Sequence, residues 1–395
     1  MRPKVCFVNQ RQNFLNSRLQ GFGATIFAEM SALAERTQSV NLGQGFPDTD
    51  GPAEVAEAAI AAIRDGRGNQ YPPGLGIPEL RKAIAEHQDR FYSLKFNPDT
   101  EILVTAGASE ALAASVLALC ETGDEVVTFE PWYDIYGANI AMAGAVKKVV
   151  TLRPPNYGFD EQEFLAAITP KTRMILLNTP HNPTGKVFIR EELEFIARVA
   201  VEHDLIVVTD EVYEHLVFDG EHIAIASLPG MRERTITISS GGKTFSFTGW
   251  KIGWAVAPPE LLTAVRTAKQ FLTYVSGGPF QYAIAVGLRL GDSYFHELAN
   301  DMRKKRDFLS EGLKAAGLEV FDSQGTYFVT TDVRSVGYDD GLDFCWKLPE
   351  KVGVVAVPNV VFYDNKSEGK SLVRFTFCKS MDVLSEAVNR MHGLR

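Results

Sequence analysis

The chain has no CxxC pair, no excess of basic residues and no apolar run long enough to cross a bilayer. Each absence removes a class of function. The four cysteines, Cys6, Cys120, Cys345 and Cys378, are scattered. A disulfide framework or zinc cluster is therefore not expected, and a reducing cytoplasm suits the chain. Acidic residues outnumber basic ones 49 to 40, and the net charge is −9. Nucleic-acid binders present a cationic face to phosphate, so nucleic acid is not an expected partner. The longest apolar stretch, Ala111 to Cys120, is too short to span a bilayer and is flanked by Glu110 and Glu121. The N-terminal apolar core, Val5 to Val8, is too small for a secretory signal. No membrane partner is expected. His181, His203 and His215 lack metal-ligand spacing; no metal is expected, and solvated or capping roles are assigned to them.

A length of 395 residues allows two or three domains, at roughly 150 residues each. From about Glu101 the chain alternates β-branched runs with helical patterns. The runs are EILVT, DEVVTF, KKVVTL, RMILLN, LIVVT, RTITIS and KIGWAV. Segments 109–120, 160–168 and 190–203 lie between them with helical periodicity; the second starts at Asp160 with Glu163 three residues on, like a capping box. This pattern predicts an α/β domain around a largely parallel sheet. After about residue 285 a long polar helix near 292–316, short strands near 326–331 and 372–377 and a last helix from about 382 predict a smaller α+β domain. The expected division is an N-terminal arm and part of the small domain at 1–45, a large domain at 46–285 and a small C-terminal domain at 286–395.

Ser239 to Trp254 carries the most chemical information. Lys243 follows a strand-like run within a turn of small residues, and Lys251 lies eight residues on. The Gly242-Lys243-Thr244 triplet also ends phosphate-binding loops of the P-loop type, but the glycine needed five residues before Gly242 is Thr237 here. An ordinary turn would explain Lys243 alone. Lysine also makes Schiff bases with aldehyde cofactors, above all pyridoxal 5′-phosphate (PLP), which takes a carboxylate on its ring nitrogen.

The remaining parts of such a site occur in order at strand ends, where ligands of parallel sheets gather. Asp210 could hold the ring nitrogen or simply cap a helix. Tyr213 could reach the ring oxygen or pack in the core. Asn178 and Asn182, four apart in a turn-rich segment, could bond cofactor and substrate oxygens. Gly107, Ala108 and Ser109 open a helix whose free amides suit phosphate, with Ser240 and Lys251 completing the anchor. Trp132 could stack on the ring or fill the core. Arg374, in an apolar strand, needs an anion: a substrate carboxylate, or an internal ion pair.

With these residues assembled, the chain resembles the class I/II aminotransferases. The blocks are NLGQGFPD, NQYPPGLG, EPWYDIY, NTPHNPTGKV, DEVYEHLVFDG, SSGGKTFSFTGWKIGW, QGTYF and RFTFCK, running from about Gly23 to the C-terminus. The resemblance implies PLP fold type I, with a mostly parallel seven-stranded sheet flanked by helices and a smaller α+β domain. It implies Lys243 as the amine that bonds the cofactor and moves the substrate proton. It implies Asp210 on the ring nitrogen, Tyr213 and Asn182 near the ring oxygen, Asn178 beside the ring and Trp132 stacked on it. Gly107, Ala108, Ser109, Ser240 and Lys251 match phosphate positions; Lys251 keeps the charge but not the fork of the arginine common there. Arg374 matches the substrate-carboxylate arginine, with Gly45 lending backbone. Tyr71 matches a tyrosine that crosses to a neighbouring subunit's phosphate, implying a homodimer with shared sites.

Amino acids and keto acids are then the expected substrates, with glutamate as donor. The likeness is nearest to N-succinyldiaminopimelate aminotransferases of lysine biosynthesis and to kynurenine/glutamine transaminases, some of which are cysteine-conjugate β-lyases. Lys269 and Tyr274 are candidates to line the side-chain pocket. A regulator with an aminotransferase-like sensor domain would need a DNA-binding domain ahead of it; the roughly 20 unpatterned residues before the first block leave no room for one, and this reading is not expected.

Overall fold

A computed structural model describes residues 14–23 and 25–394. Cys6 and most of the expected N-terminal arm lie outside these. The helix Ile26–Thr37 (α1) packs by Met30, Leu33 and Ala34. The seven apolar runs all form strands of one sheet: Ile102–Ala106 (β1), Glu125–Glu130 (β2), Val146–Thr151 (β3), Thr172–Asn178 (β4), Ile206–Asp210 (β5), Thr235–Ser240 (β6) and Ile252–Val256 (β7). Their order is β1-β7-β6-β5-β4-β2-β3. β7 runs antiparallel to both its neighbours; the other pairings are parallel.

Parallel strands need long crossovers, and helices supply them: Gly107–Leu119 (α2), Asp134–Ala143 (α3), Glu161–Ala167 (α4) and Arg190–Glu202 (α5). The sheet is covered on both sides, so β2, β5, β6 and β7 are buried along their whole length and β4 along its last five residues; β5 and β7 read as near-continuous apolar runs, whereas β6 alternates threonine with isoleucine. One cluster joins Leu103, Val126, Leu176, Val208 and Ile238 to α2. On another side Val127, Ile175 and Val207 pack with Phe164 and Ile196 of α4 and α5. The capping box is half made. Asp160 accepts from the backbone of Gln162 and Glu163, but Glu163 turns to the Thr151 amide and Arg153.

The C-terminal texture change is real. The helix Asp292–Ala315 (α6) leads into Glu319–Phe321 (β8), Phe328–Asp332 (β9), Val357–Pro358 (β10) and Leu372–Thr376 (β11), then the helix Met381–Met391 (α7). The order β10-β11-β9-β8 is antiparallel throughout. The N-terminal segment joins this part: Val40 and Asn41 pair in parallel with Val354 and Val355, and Met30 and Leu33 share its core. Among the described residues no helix is long and apolar enough to cross a membrane.

Candidate active site

Register brings the candidates together. Asn178 and Asp210 are cross-strand partners at the carboxyl ends of β4 and β5. Ser240 ends β6, and Ala106, the last residue of β1, faces Ile252 at the start of the antiparallel β7. Lys251 therefore arrives at the edge that carries Gly107. A cavity of about 320 Å³ opens there. Its lining includes Gly45, Gly107, Ala108, Ser109, Asn178 and Asn182, and also Asp210, Tyr213, Ser240, Lys243, Lys251 and Arg374.

Lys243 sits on a one-turn helix, Gly241–Thr244, directly after β6. Its Nζ donates to the Gly45 carbonyl at 3.1 Å, and its own carbonyl accepts from the Tyr327 hydroxyl at 2.6 Å. Burial lowers its pKa, helped by the Arg374 and Lys251 charges against the opposing pull of Cys378 and Asp210. The free-amine form is thus closer to neutral pH, as a nucleophilic or proton-moving lysine requires.

Asp210 accepts from the Tyr136 hydroxyl at 2.8 Å and from the Val212 amide at 3.3 Å. Burial pushes its carboxyl up to about 6 against those bonds. Asn178 is locked by three bonds, to the Pro180 and Asp210 carbonyls and from the Asn182 amide. Asn182 in turn accepts from Arg374 at 3.0 Å, and Arg374 also donates to the Gly43 carbonyl at 3.0 Å.

Arg374 is 1% exposed. Among the described residues it has no carboxylate in bonding range, and its Nε has no partner. Burial lowers its pKa to about 10. A buried guanidinium with only neutral acceptors and a spare donor is a receptor for an anion. The internal ion pair considered for it is not made among the described residues. The Gly43 carbonyl accepts from Arg374, and Gly45, which lines the cavity, accepts from Lys243 through its own carbonyl.

The end of the cavity at Gly107 has a steric signature. Gly107 has φ 72°, and a Cβ there would crowd the Lys251 side chain. Lys251 Nζ lies 3.4 Å from Ser109 Oγ. The start of α2, two serine hydroxyls and an ammonium form an anion-binding end to the cavity. Amine, carboxylate, phenol and anion cradle together fit PLP, and the buried Arg374 leaves room for a carboxylate beside it.

Four candidates are not brought into the cavity. Trp132 turns away and lies under Lys147, whose Nζ is 3.4 Å above its ring. Its neighbours Tyr133 and Tyr136 line the cavity instead. The ring at the strand end is therefore Tyr133, one residue on: the side chains of Trp132 and Tyr133 leave the β2–α3 turn in different directions. Tyr71 is 82% exposed and packs edge-on against Tyr274, with centroids 5.6 Å apart. Lys269 is buried and donates to the Tyr274 carbonyl; neither lines the cavity.

The histidines also differ from expectation. His203 is exposed at the end of α5, but His181 is buried and bonded to Thr184. His215 packs against His87 at 2.7 Å between ring nitrogens. Burial lowers the pKa of both His181 and His215. Glu214 lies beside the pair and accepts from Tyr92 and Ser239, bracing the end of β6 from behind; burial raises its carboxyl to about 7. Sequence reasoning also missed Tyr136 and Tyr327, whose hydroxyls fix Asp210 and Lys243.

A lysine on a strand-end turn, beside the aspartate that ends the neighbouring parallel strand of a seven-stranded sheet, defines an enzyme of PLP fold type I. Residues 37–391 match the family model of aminotransferase class I and II, and the chain belongs to that PLP-dependent family. It is an aminotransferase. It is 52% identical over 389 residues to the probable N-succinyldiaminopimelate aminotransferase DapC of Mycobacterium tuberculosis, covering 96% of this chain and 98% of that protein. The methionine aminotransferase of Escherichia coli is 40% identical over 379 residues, with 96% and 98% covered. The solved structure of N-succinyldiaminopimelate aminotransferase from Mycobacterium tuberculosis superposes with TM-score 0.94 at 52% identity, covering 96% of this chain and all of that one.

Proposed function

We propose that this chain is an N-succinyl-LL-diaminopimelate:2-oxoglutarate aminotransferase of lysine biosynthesis. The observation that carries the reading is the 52% identity, across nearly the whole of both chains, to the probable N-succinyldiaminopimelate aminotransferase of Mycobacterium tuberculosis. PLP, when bound, supplies an electron sink that lets an amino group pass from one carbon skeleton to another.

The chain's own residues divide the remaining work. Lys243 holds the cofactor and, once free, takes the proton from the substrate carbon as its amine and returns it as its ammonium. Asp210, kept in place by Tyr136, would pair with the ring nitrogen as a carboxylate. Tyr213 and Asn182 would donate to the ring oxygen, with Asn178 fixing Asn182. Gly107, Ala108, Ser109, Ser240 and Lys251 would hold the phosphate. Arg374 binds the substrate carboxylate with two parallel N–H bonds.

The site is proposed to be completed by a second copy in a homodimer. Tyr71, Phe271 and Tyr274 are exposed at 82, 85 and 43%, high for aromatic side chains. We assign the work to the cytoplasm, and we take 46–285 as the cofactor domain, with 1–45 and 286–395 contributing the smaller one.

The test is steady-state turnover with 2-oxoglutarate as acceptor, comparing N-succinyl-LL-diaminopimelate, methionine and kynurenine as donors. The proposal expects the succinylated donor to have the highest kcat/KM. A higher value for methionine or kynurenine would reject it in favour of that substrate.

A further inference from the structure

A second hollow adjoins the catalytic cavity, and Tyr133 lines both. Its other walls include Trp132, Lys147, Asp364 and Lys366. The donors in it outnumber their partners. Lys147 bonds Asp364 at 2.8 Å. Lys366 bonds only the Val360 carbonyl, at 3.0 Å, with no ion pair among the described residues. An ammonium has three N–H donors, so both lysines keep donors in reserve. The indole N–H of Trp132 is buried without an acceptor, and Trp132 is only 8% exposed. Such a donor normally finds a partner. Two other carboxylates border the hollow, Glu29 and Asp134. Glu29 is exposed on α1. Burial raises the pKa of Asp134, so its charge is disfavoured where it stands.

An enzyme of this kind must accept two donors in one site. Glutamate is short, and both its carboxylates lie close to the reacting carbon. A succinylated diamino diacid is long and carries further carboxylates at the far end. Arg374 can bind the near carboxylate of either. The far end of the long substrate needs space beyond the ring-binding wall, with N–H donors at its limit. The hollow past Tyr133 offers both, and glutamate is too short to reach it.

We propose that the hollow bounded by Trp132, Lys147 and Lys366 is a second carboxylate subsite, which receives the succinyl end of the long substrate while its amino end lies at Lys243. This inference rests on the substrate reading given under Proposed function. It makes Lys147 and Lys366 determinants of specificity and leaves the chemistry to the first cavity.

The experiment uses the PLP-loaded enzyme and the single variants Lys366→Ala and Lys147→Met. One readout is kcat/KM for N-succinyl-LL-diaminopimelate and for glutamate. The other is the calorimetric Kd of N-succinyl-L-2-aminopimelate, which has the same acyl arm but no amino group to transfer. The expected result is a loss of about tenfold in kcat/KM for the succinylated substrate, through KM, with a matching rise in Kd. Glutamate should change less than twofold. Unchanged values for the succinylated compounds, in a wild type that turns the substrate over, would overturn the subsite alone. Equal losses for both donors would also overturn it, since damage would then be general. A wild type with no activity toward the succinylated substrate would reject the substrate reading, and this inference with it.

Discussion

Asp210 and Arg374 are both buried charges whose protein partners leave something unmet, and each gives a prediction. Asp210 has its carboxyl raised to about 6. Above that pH it is ionised and can pair with a protonated ring nitrogen; below it the pairing charge is lost. PLP affinity should therefore weaken as pH falls through about 6, and weaken less in Asp210→Asn. Fluorescence titration of the cofactor-free protein at pH 7.5 and 5.0 would check this, and an identical pH response in both proteins would contradict it. At Arg374, lysine keeps the charge but loses the fork. Arg374→Lys should lower kcat/KM for glutamate by about tenfold to a hundredfold, the worth of one charged hydrogen bond, and mostly through KM.

The pair Trp132 and Tyr133 marks where the sequence stops being legible at this scale. Both are aromatic at a strand end, and nothing in their order says which faces the cofactor. The turn after Glu130 decides it, and Trp132 goes to Lys147. Tyr133→Ala should weaken PLP binding and shift its visible absorption, whereas Trp132→Phe should do neither. A shift in the second variant alone would restore Trp132 to the cofactor. The strand-end residues Asn178, Asp210 and Ser240 were readable because each closes a buried strand, and Lys243 because it follows one in a turn of small residues.

Among elements, the seven strands of the large sheet were legible for the same reason. Burial on both faces removes polar alternation and leaves β-branched runs bounded by turns. Less legible was the antiparallel sense of β7. Its run, Ile252 to Val256, looks like its parallel neighbours. Yet that reversal is what carries Lys251 to the edge of the cavity that holds Gly107. The histidines His181 and His215 were misjudged because burial depends on neighbours from distant segments, such as His87 and Phe295.

The close contact between β7 and the start of α2 can be tested. A methyl group on Gly253 would overlap the Gly107 carbonyl carbon and the Ala108 nitrogen. Backbone must then move at the phosphate cradle. Gly253→Ala should weaken PLP affinity by tenfold or more while the sheet survives, at a stability cost of about 1–3 kcal/mol. Comparing cofactor titration with cofactor-free thermal unfolding separates the two effects. Unchanged PLP affinity would show that the cradle tolerates the shift.

For the whole molecule, the chain folds as a large parallel α/β sheet with the N-terminal segment tied to a small antiparallel one. Lys243 comes from the first part and Arg374 from the second. Tyr213 and Tyr327 stand within 5.6 Å of the Lys243 amine. What one chain cannot explain is its surface. Phe271 is 85% exposed beside Leu272 at 47%, and Tyr71, 82% exposed, packs edge-on against Tyr274. Isolated apolar side chains on a surface are ordinary; a cluster indicates a partner. Phe271→Asp should shift sedimentation toward the monomer and lower turnover with it. A monomeric wild type that is fully active would reject the shared site.

The most direct test of the account is where PLP becomes attached. Borohydride reduction of the PLP-loaded protein, followed by proteolysis and mass spectrometry, reports the lysine that held it. The account predicts a phosphopyridoxyl group on the peptide containing Lys243, absent from Lys243→Ala, with wild-type labelling abolished by prior treatment with L-glutamate. Labelling at another lysine, or labelling that persists unchanged in Lys243→Ala, would contradict it.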